Sequence, residues 1–139
     1  MNILFLCVAN SARSQMAEGL ARKIFAERTD IHVYSAGTKP TSVHPRAVSV
    51  LKEVGVDISQ HTSKSVDEFL SKDIDYVITL CAEEQCPVFP GPIKKIHWPM
   101  PDPAIVGVSE AEALLNFRKT RDKLAEKLEE FFKIVQASQ

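Results

Sequence analysis

Cys7, Arg13 and Ser14 are the residues of this 139-residue chain whose types and spacing suggest chemistry most directly. An apolar run, Asn2–Leu6, ends at Cys7. Small or polar residues follow, Val8-Ala9-Asn10-Ser11-Ala12, and Arg13-Ser14 then open a helical pattern. A tetrahedral oxyanion needs hydrogen-bond donors on most sides and a compensating positive charge. Successive backbone N–H groups of a tight loop can form such a nest, and the following helix adds the positive end of its dipole. Arg13 can supply a guanidinium fork to two anion oxygens. The same field favours the thiolate of Cys7, the nucleophilic form. Asn10 is placed to brace the loop, and Ser14 to donate a hydrogen bond to the sulfur. The predicted oxyanion-binding set is therefore Val8, Ala9, Asn10, Ser11, Ala12, Arg13 and Ser14. A buried strand-end cysteine and a surface arginine would give the same spacing. The position between a strand and a helix favours the nucleophile.

Other chemistries find less support. The loop lacks the Gly-Lys-Ser/Thr ending of a Walker A motif, which disfavours ATP chemistry. There is no nucleotide or flavin fingerprint, so no bound cofactor is expected. Cys81 and Cys86 with His61 and His97 make a poor zinc set, because structural zinc pairs are closer and come in fours. No metal site is therefore predicted. Asp102 sits in the stiff run Pro99-Met100-Pro101-Asp102-Pro103. Residue type leaves it open as a proton donor or as a turn aspartate. His44, His61 and His97 read as structural.

Three cysteines are an odd number, which argues against a disulfide framework and for reactive thiols in a reducing cytoplasm. Seventeen basic against eighteen acidic residues give a net charge of -1 and no nucleic-acid surface. No apolar run approaches membrane-spanning length. Met1–Val8 lacks a basic leader and a small-residue cleavage site, so it reads as a core strand rather than a signal peptide. A single domain over 1–139 is expected, and a monomer, although Phe131 and Phe132 leave weak dimerisation open.

The elements that must position these residues alternate. Strands are predicted at Asn2–Leu6, Ile31–Ser35, Tyr76–Leu80 and Lys94–Trp98. Helices are predicted from Ser14 to about Arg28 and over Pro45–Val54, the latter capped by Gly55. Capping boxes at Ser65–Glu68 and Ser109–Glu112 open a short helix and a long final one. The stripe of the final helix includes Leu114, Phe117, Leu124, Leu128, Phe131 and Val135. Such alternation predicts a three-layer α/β sandwich, a parallel sheet of four strands ordered 2-1-3-4 with flanking helices. Ligands bind beyond the carboxyl ends of such strands, where the order reverses. Cys7 ends strand 1 and Cys81 ends strand 3, so the two would meet there. Trp98 is expected near the mouth of the site.

The run Cys7–Gly19 resembles the phosphate-binding loop and first helix of the low-molecular-weight protein tyrosine phosphatase superfamily. It is most similar to the thioredoxin-coupled arsenate reductase branch. The similarity continues through Tyr34–Gly37, His61-Thr62-Ser63, Thr79-Leu80-Cys81, Cys86-Pro87, His97-Trp98 and Asp102-Pro103-Ala104. It implies that Cys7 is the nucleophile, that Arg13 and the loop amides bind the oxyanion, and that Asp102 is the general acid. It also implies a relay in which Cys81 attacks the Cys7 adduct and Cys86 then attacks Cys81. The reductant would be external, thioredoxin or glutathione with glutaredoxin. Phosphatases of the superfamily usually carry an aromatic after Asp-Pro, whereas Ala104 suits a small inorganic substrate. A phosphatase, whose Cys7 adduct is resolved by water, remains the alternative. A non-catalytic redox-sensing or phosphate-binding module is a third. Potassium-binding members are expected to have an acidic residue at position 64, acting with counterparts of Asn10, Glu18 and Ser35. Lys64 stands there instead, its ammonium replacing the ion's charge.

Overall fold

The computed structural model describes residues 1–82 and 88–137. Strands β1 (Asn2–Cys7), β2 (His32–Gly37), β3 (Tyr76–Cys81) and β4 (Lys94–Met100) form one parallel sheet in the order β2-β1-β3-β4. The order is the one expected from the alternating pattern. Helices α1 (Arg13–Ile24), α2 (Pro45–Lys52) and α3 (Glu110–Ala137) complete the architecture, with a short 3-10 turn at Val66–Phe69.

β1 is apolar from Ile3 to Cys7 because both its faces are covered there. Ile3 and Phe5 pack with Met16, Leu20, Leu51, Phe117 and Leu124 under the three long helices. Leu4 and Leu6 pack on the other face with Ala36, Phe69, Ile74, Val77 and Phe89. The helical layers are therefore unequal. All three α-helices share one face, and the other is closed by the 3-10 turn and nearby loop residues.

Several boundaries differ from the sequence pattern. α1 ends at Ile24, not near Arg28, because the chain turns there. Ala26 N–H bonds back to Lys23, and the Arg28 guanidinium closes the turn on the Asp30 carboxylate. β4 runs on to Met100 across a register shift opposite Thr79–Cys81. Its Pro99 is tolerable because β4 is an edge strand. After α2, the Gly55 N–H bonds to Lys52 and the Val56 N–H to Leu51, with Gly55 at φ 79°. That is a left-handed cap where a side chain would be strained.

Phe131 and Phe132 do not face outward as a pair. Phe131 is buried against Phe25, Tyr76 and Trp98, and Phe132 lies 5.1 Å from the Phe25 ring. Trp98 is likewise not at the mouth of the site. β4 directs it toward α3, where it meets Phe131 at 6.1 Å and lies under the Lys127 ammonium. Among the described residues no helix is long and apolar enough to cross a membrane.

Candidate active site

The loop between β1 and α1 is tied down by its carbonyls. Val8 O accepts from Lys39 N, Ala9 O from Thr41 N and Ser63 Oγ, and Ser11 O from His44 N. Asn10 O accepts from Gln15 Nε2. In a trans peptide the next residue's N–H points opposite to each carbonyl. With these carbonyls held from outside, the N–H groups of Ala9, Asn10, Ser11 and Ala12 turn toward the inside of the loop. Such a ring of donors at a helix start forms an anion cradle.

Two backbone features permit that curl. Asn10 adopts φ 48°, a left-handed conformation that asparagine tolerates better than most residues. Gly37, at the end of β2, lies directly beneath. A Cβ there would sit 2.4 Å from Val8 O and 2.8 Å from Asn10 N. The sequence reading gave Gly37 no role beyond its place in the Tyr34–Gly37 resemblance.

A chain of hydrogen bonds then runs from the surface to the sulfur, and its polarity can be read link by link. Gln15 Nε2 donates to Asn10 O, Asn10 Oδ1 and Thr62 O, which fixes the orientation of the amide. Gln15 Oε1, 3.0 Å from His61 Nδ1, must therefore accept, so the His61 proton is on Nδ1. His61 Nε2 faces Arg22 Nη1 at 3.4 Å as an acceptor. Asn10 Nδ2 donates to Ser14 Oγ at 2.7 Å. The Ser14 hydroxyl lies 2.8 Å from Cys7 Sγ, and toward a thiolate it is the donor. These links donate in one direction, toward the sulfur. Burial pushes the His61 pKa down, with Glu18 opposing and Arg22 and Lys64 reinforcing. That direction suits the acceptor role of Nε2 toward Arg22.

Beside this chain Glu18 is almost fully buried, and a buried carboxylate needs partners. It has three. Ser35 Oγ donates at 2.5 Å, Arg22 Nη2 pairs at 2.6 Å, and Lys64 Nζ stands 3.5 Å off. Lys64 Nζ also donates to Thr62 O at 2.7 Å, and the Lys64 amide to Asn10 Oδ1. The ammonium thus stands between Glu18 and Thr62 O, while the Lys64 backbone is tied to Asn10.

Arg13 is buried, and its Nη1 donates to Met100 O at 2.9 Å. Met100 is the register partner of Cys81, so the end of β4 links the guanidinium to the end of β3. A pocket of about 130 Å³ opens over the loop, lined by Cys7, Ala9, Ser11, Ala12, Arg13, Thr41, His44, Asp102 and Ala104. Drug-sized ligands occupy roughly 300–1,000 Å³, so this one suits a small anion. Asp102 is exposed, its Oδ1 accepting from the Ala104 N–H at 3.0 Å. The turn geometry and the pocket position coexist in this one residue.

Cys7 is a free, buried thiol at the end of β1. Cys81 is buried at the end of the adjacent β3 and is disulfide-bonded. Cys86 lies outside the described residues. The structure places Cys7, Asn10, Arg13, Ser14 and Asp102 together at this end of the sheet. Gln15, Gly37, Thr41, Ser63 and His44 were not foreseen in it. They act through backbone contacts or lie far away in sequence.

Known proteins agree with this architecture. Residues 2–139 match the family described as low molecular weight phosphotyrosine protein phosphatase. The chain belongs to that family. Among curated members of it, arsenate reductase 2 of Staphylococcus saprophyticus subsp. saprophyticus is 45% identical over 132 residues, covering 94% of this chain and 95% of the relative. Arsenate reductase of Oceanobacillus iheyensis is 41% identical over 133 residues, 94% of each chain. Among solved structures, an arsenate reductase in its reduced state superposes with a TM-score of 0.76 at 36% identity, covering 96% of this chain and 98% of that one. The thioredoxin-dependent arsenate reductase of Corynebacterium glutamicum gives 0.75 at 29% identity, over 99% of this chain but 63% of its own. A low molecular weight protein tyrosine phosphatase from T. tengcongensis gives 0.78 at 28% identity, covering 96% and 98%. The family's phosphatases and its arsenate reductases share this fold.

Proposed function

We propose that this chain is an arsenate reductase that turns over through three cysteines. The Cys7 thiolate attacks arsenic(V), and an oxygen leaves as water after taking a proton from Asp102. Arg13 and the loop amides hold the remaining oxygens. The Cys81 thiolate then attacks the Cys7 sulfur. The S–As bond breaks, and its electron pair stays on arsenic, which departs as arsenite. Cys7 and Cys81 are left as a disulfide. The Cys86 thiolate attacks Cys81, frees Cys7, and passes the disulfide to Cys81 and Cys86. An external dithiol protein, thioredoxin or a glutathione-coupled glutaredoxin, reduces that bond. The chain would work in the cytoplasm, where such thiols are held reduced.

One observation carries the reading. Cys7 and Cys81 end neighbouring parallel strands at the same edge of the sheet as the oxyanion cradle. A phosphatase has no use for a second thiol there, because water resolves its adduct. Ala104 and the small pocket favour an inorganic substrate over an aryl ester.

Arsenate-dependent NADPH oxidation tests this, measured with thioredoxin and its reductase and in parallel with glutathione and glutaredoxin. Turnover in one system is expected, and turnover in neither overturns the reading. Weak hydrolysis of aryl phosphates would not decide between reductase and phosphatase, since both share the loop. Cys86→Ser should keep that hydrolysis while multiple arsenate turnovers stop. Continued turnover would remove Cys86 from the relay.

A further inference from the structure

His44 is the wall residue of the pocket that the proposed chemistry leaves unused. Its placement is rigid. The His44 N–H donates to Ser11 O in the cradle loop at 3.0 Å, and Pro45 follows as the first residue of α2. Its ring lies 4.7 Å from the Phe117 ring on α3. Nδ1 accepts from the Arg46 backbone N–H at 3.1 Å, capping α2. An amide N–H can only donate, so Nδ1 must carry a lone pair. The proton of the neutral ring is consequently on Nε2. Among the described residues Nε2 has no hydrogen-bond partner. The ring shares the pocket with Cys7, Arg13 and Asp102.

We propose that His44 is an oxyanion-binding residue, whose Nε2–H donates to the substrate oxygen on the Asp102 side of the pocket. The assignment rests on the cradle being the oxyanion site. The cap bond sets the tautomer, so a helix start and a ligand donor are made by the same ring. Neutrality matters as much as position. The groups facing His44 are Arg46, Asp102 and Glu110. Burial and then the Arg46 cation push its pKa down, against the pull of Asp102 and Glu110. Protonation would place an N–H at Nδ1 against the Arg46 N–H and break the cap. A neutral donor lets the wall contribute a hydrogen bond without adding a second cation to Arg13.

The test uses inorganic phosphate as probe, because its binding is read whether or not the chain reduces arsenate. His44→Ser keeps a strong helix-capping side chain but cannot reach the ligand. Titration calorimetry should show phosphate affinity falling about tenfold, the scale of one hydrogen bond to a charged group, with the melting temperature near that of the parent. Unchanged affinity overturns the proposal. A second measurement does not depend on the variant folding. Nitrogen-15 NMR of the parent protein at pH 7.5 should show His44 as the Nε2–H tautomer, with its Nε2 resonance moved by phosphate. An Nδ1–H tautomer, a charged ring, or no movement on saturation would each overturn it.

Discussion

Ser14 Oγ lies 2.8 Å from Cys7 Sγ, and the same oxygen takes a hydrogen bond from Asn10 Nδ2 at 2.7 Å. The second bond orients the first. With one lone pair engaged by Asn10, the hydroxyl can turn its hydrogen to the sulfur, and a thiolate can only accept it. A hydrogen bond to a charged group contributes about 1.5–3 kcal/mol, and 1.4 kcal/mol is a factor of ten. Ser14→Ala should therefore slow alkylation of Cys7 by iodoacetamide at neutral pH by about tenfold or more. An unchanged rate would mean that Ser14 does not support the thiolate.

Gly37 tests the cradle from below. Its missing side chain is what lets β2 pass under the loop, since a Cβ would meet backbone atoms of Val8 and Asn10 that cannot swing away. Gly37→Ala should abolish phosphate binding and lower the melting temperature. A soluble, stable variant that binds phosphate normally would show that the loop can curl without this contact.

Asp102 is the proposed proton donor. General acids typically contribute about 10²–10⁴-fold in rate. Asp102→Asn keeps an oxygen to accept from the Ala104 N–H but cannot protonate a leaving oxygen. Single-turnover arsenate reduction, followed as loss of free thiols, should slow by about that factor. Inhibition by phosphate should barely change. A large loss of phosphate affinity would instead make Asp102 a binding residue.

The parts of the site that were legible in sequence are those compressed into one run. Cys7 through Ser14 carries a nucleophile, its curl and its cation within one strand-loop-helix unit, so local pattern was enough. The sheet order followed from alternation and handedness. The outer supports were not legible, because Thr41 acts through its backbone and Gly37 through a missing Cβ, while Ser63 and His44 reach the loop from far along the chain. Residue type says little about which carbonyl a loop amide will meet. Trp98 was misplaced for a related reason. The sequence reading put it near the mouth of the site, whereas the side taken by an edge-strand residue depends on where the long final helix lies.

Lys64 bears on ion dependence. Its ammonium stands 3.5 Å from Glu18 Oε1 and 2.7 Å from Thr62 O, so the buried carboxylate already has two cations with Arg22. Potassium chloride and sodium chloride at equal ionic strength should support equal turnover. A clear rise specific to potassium would show that an ion binds beside, or in place of, the lysine.

Glu53 predicts behaviour in acid. It joins α2 to α3, accepting from Arg118 at 2.8 and 2.9 Å and from Arg121 at 2.8 Å. These bonds, with Arg118 foremost, lower its pKa from 4.5 to about 2. A carboxylate whose folded pKa is depressed adds stability above its unfolded pKa and loses it as pH falls through the folded one. The contribution of Glu53 should therefore be full above about 4.5 and fade toward about 2. Its side chain is 38% exposed, so salt screens the pair and the effect is modest. Urea midpoints of the parent and Glu53→Gln should differ at pH 6 and converge toward pH 2. A gap that stays constant over that range would assign the loss to packing rather than to charge.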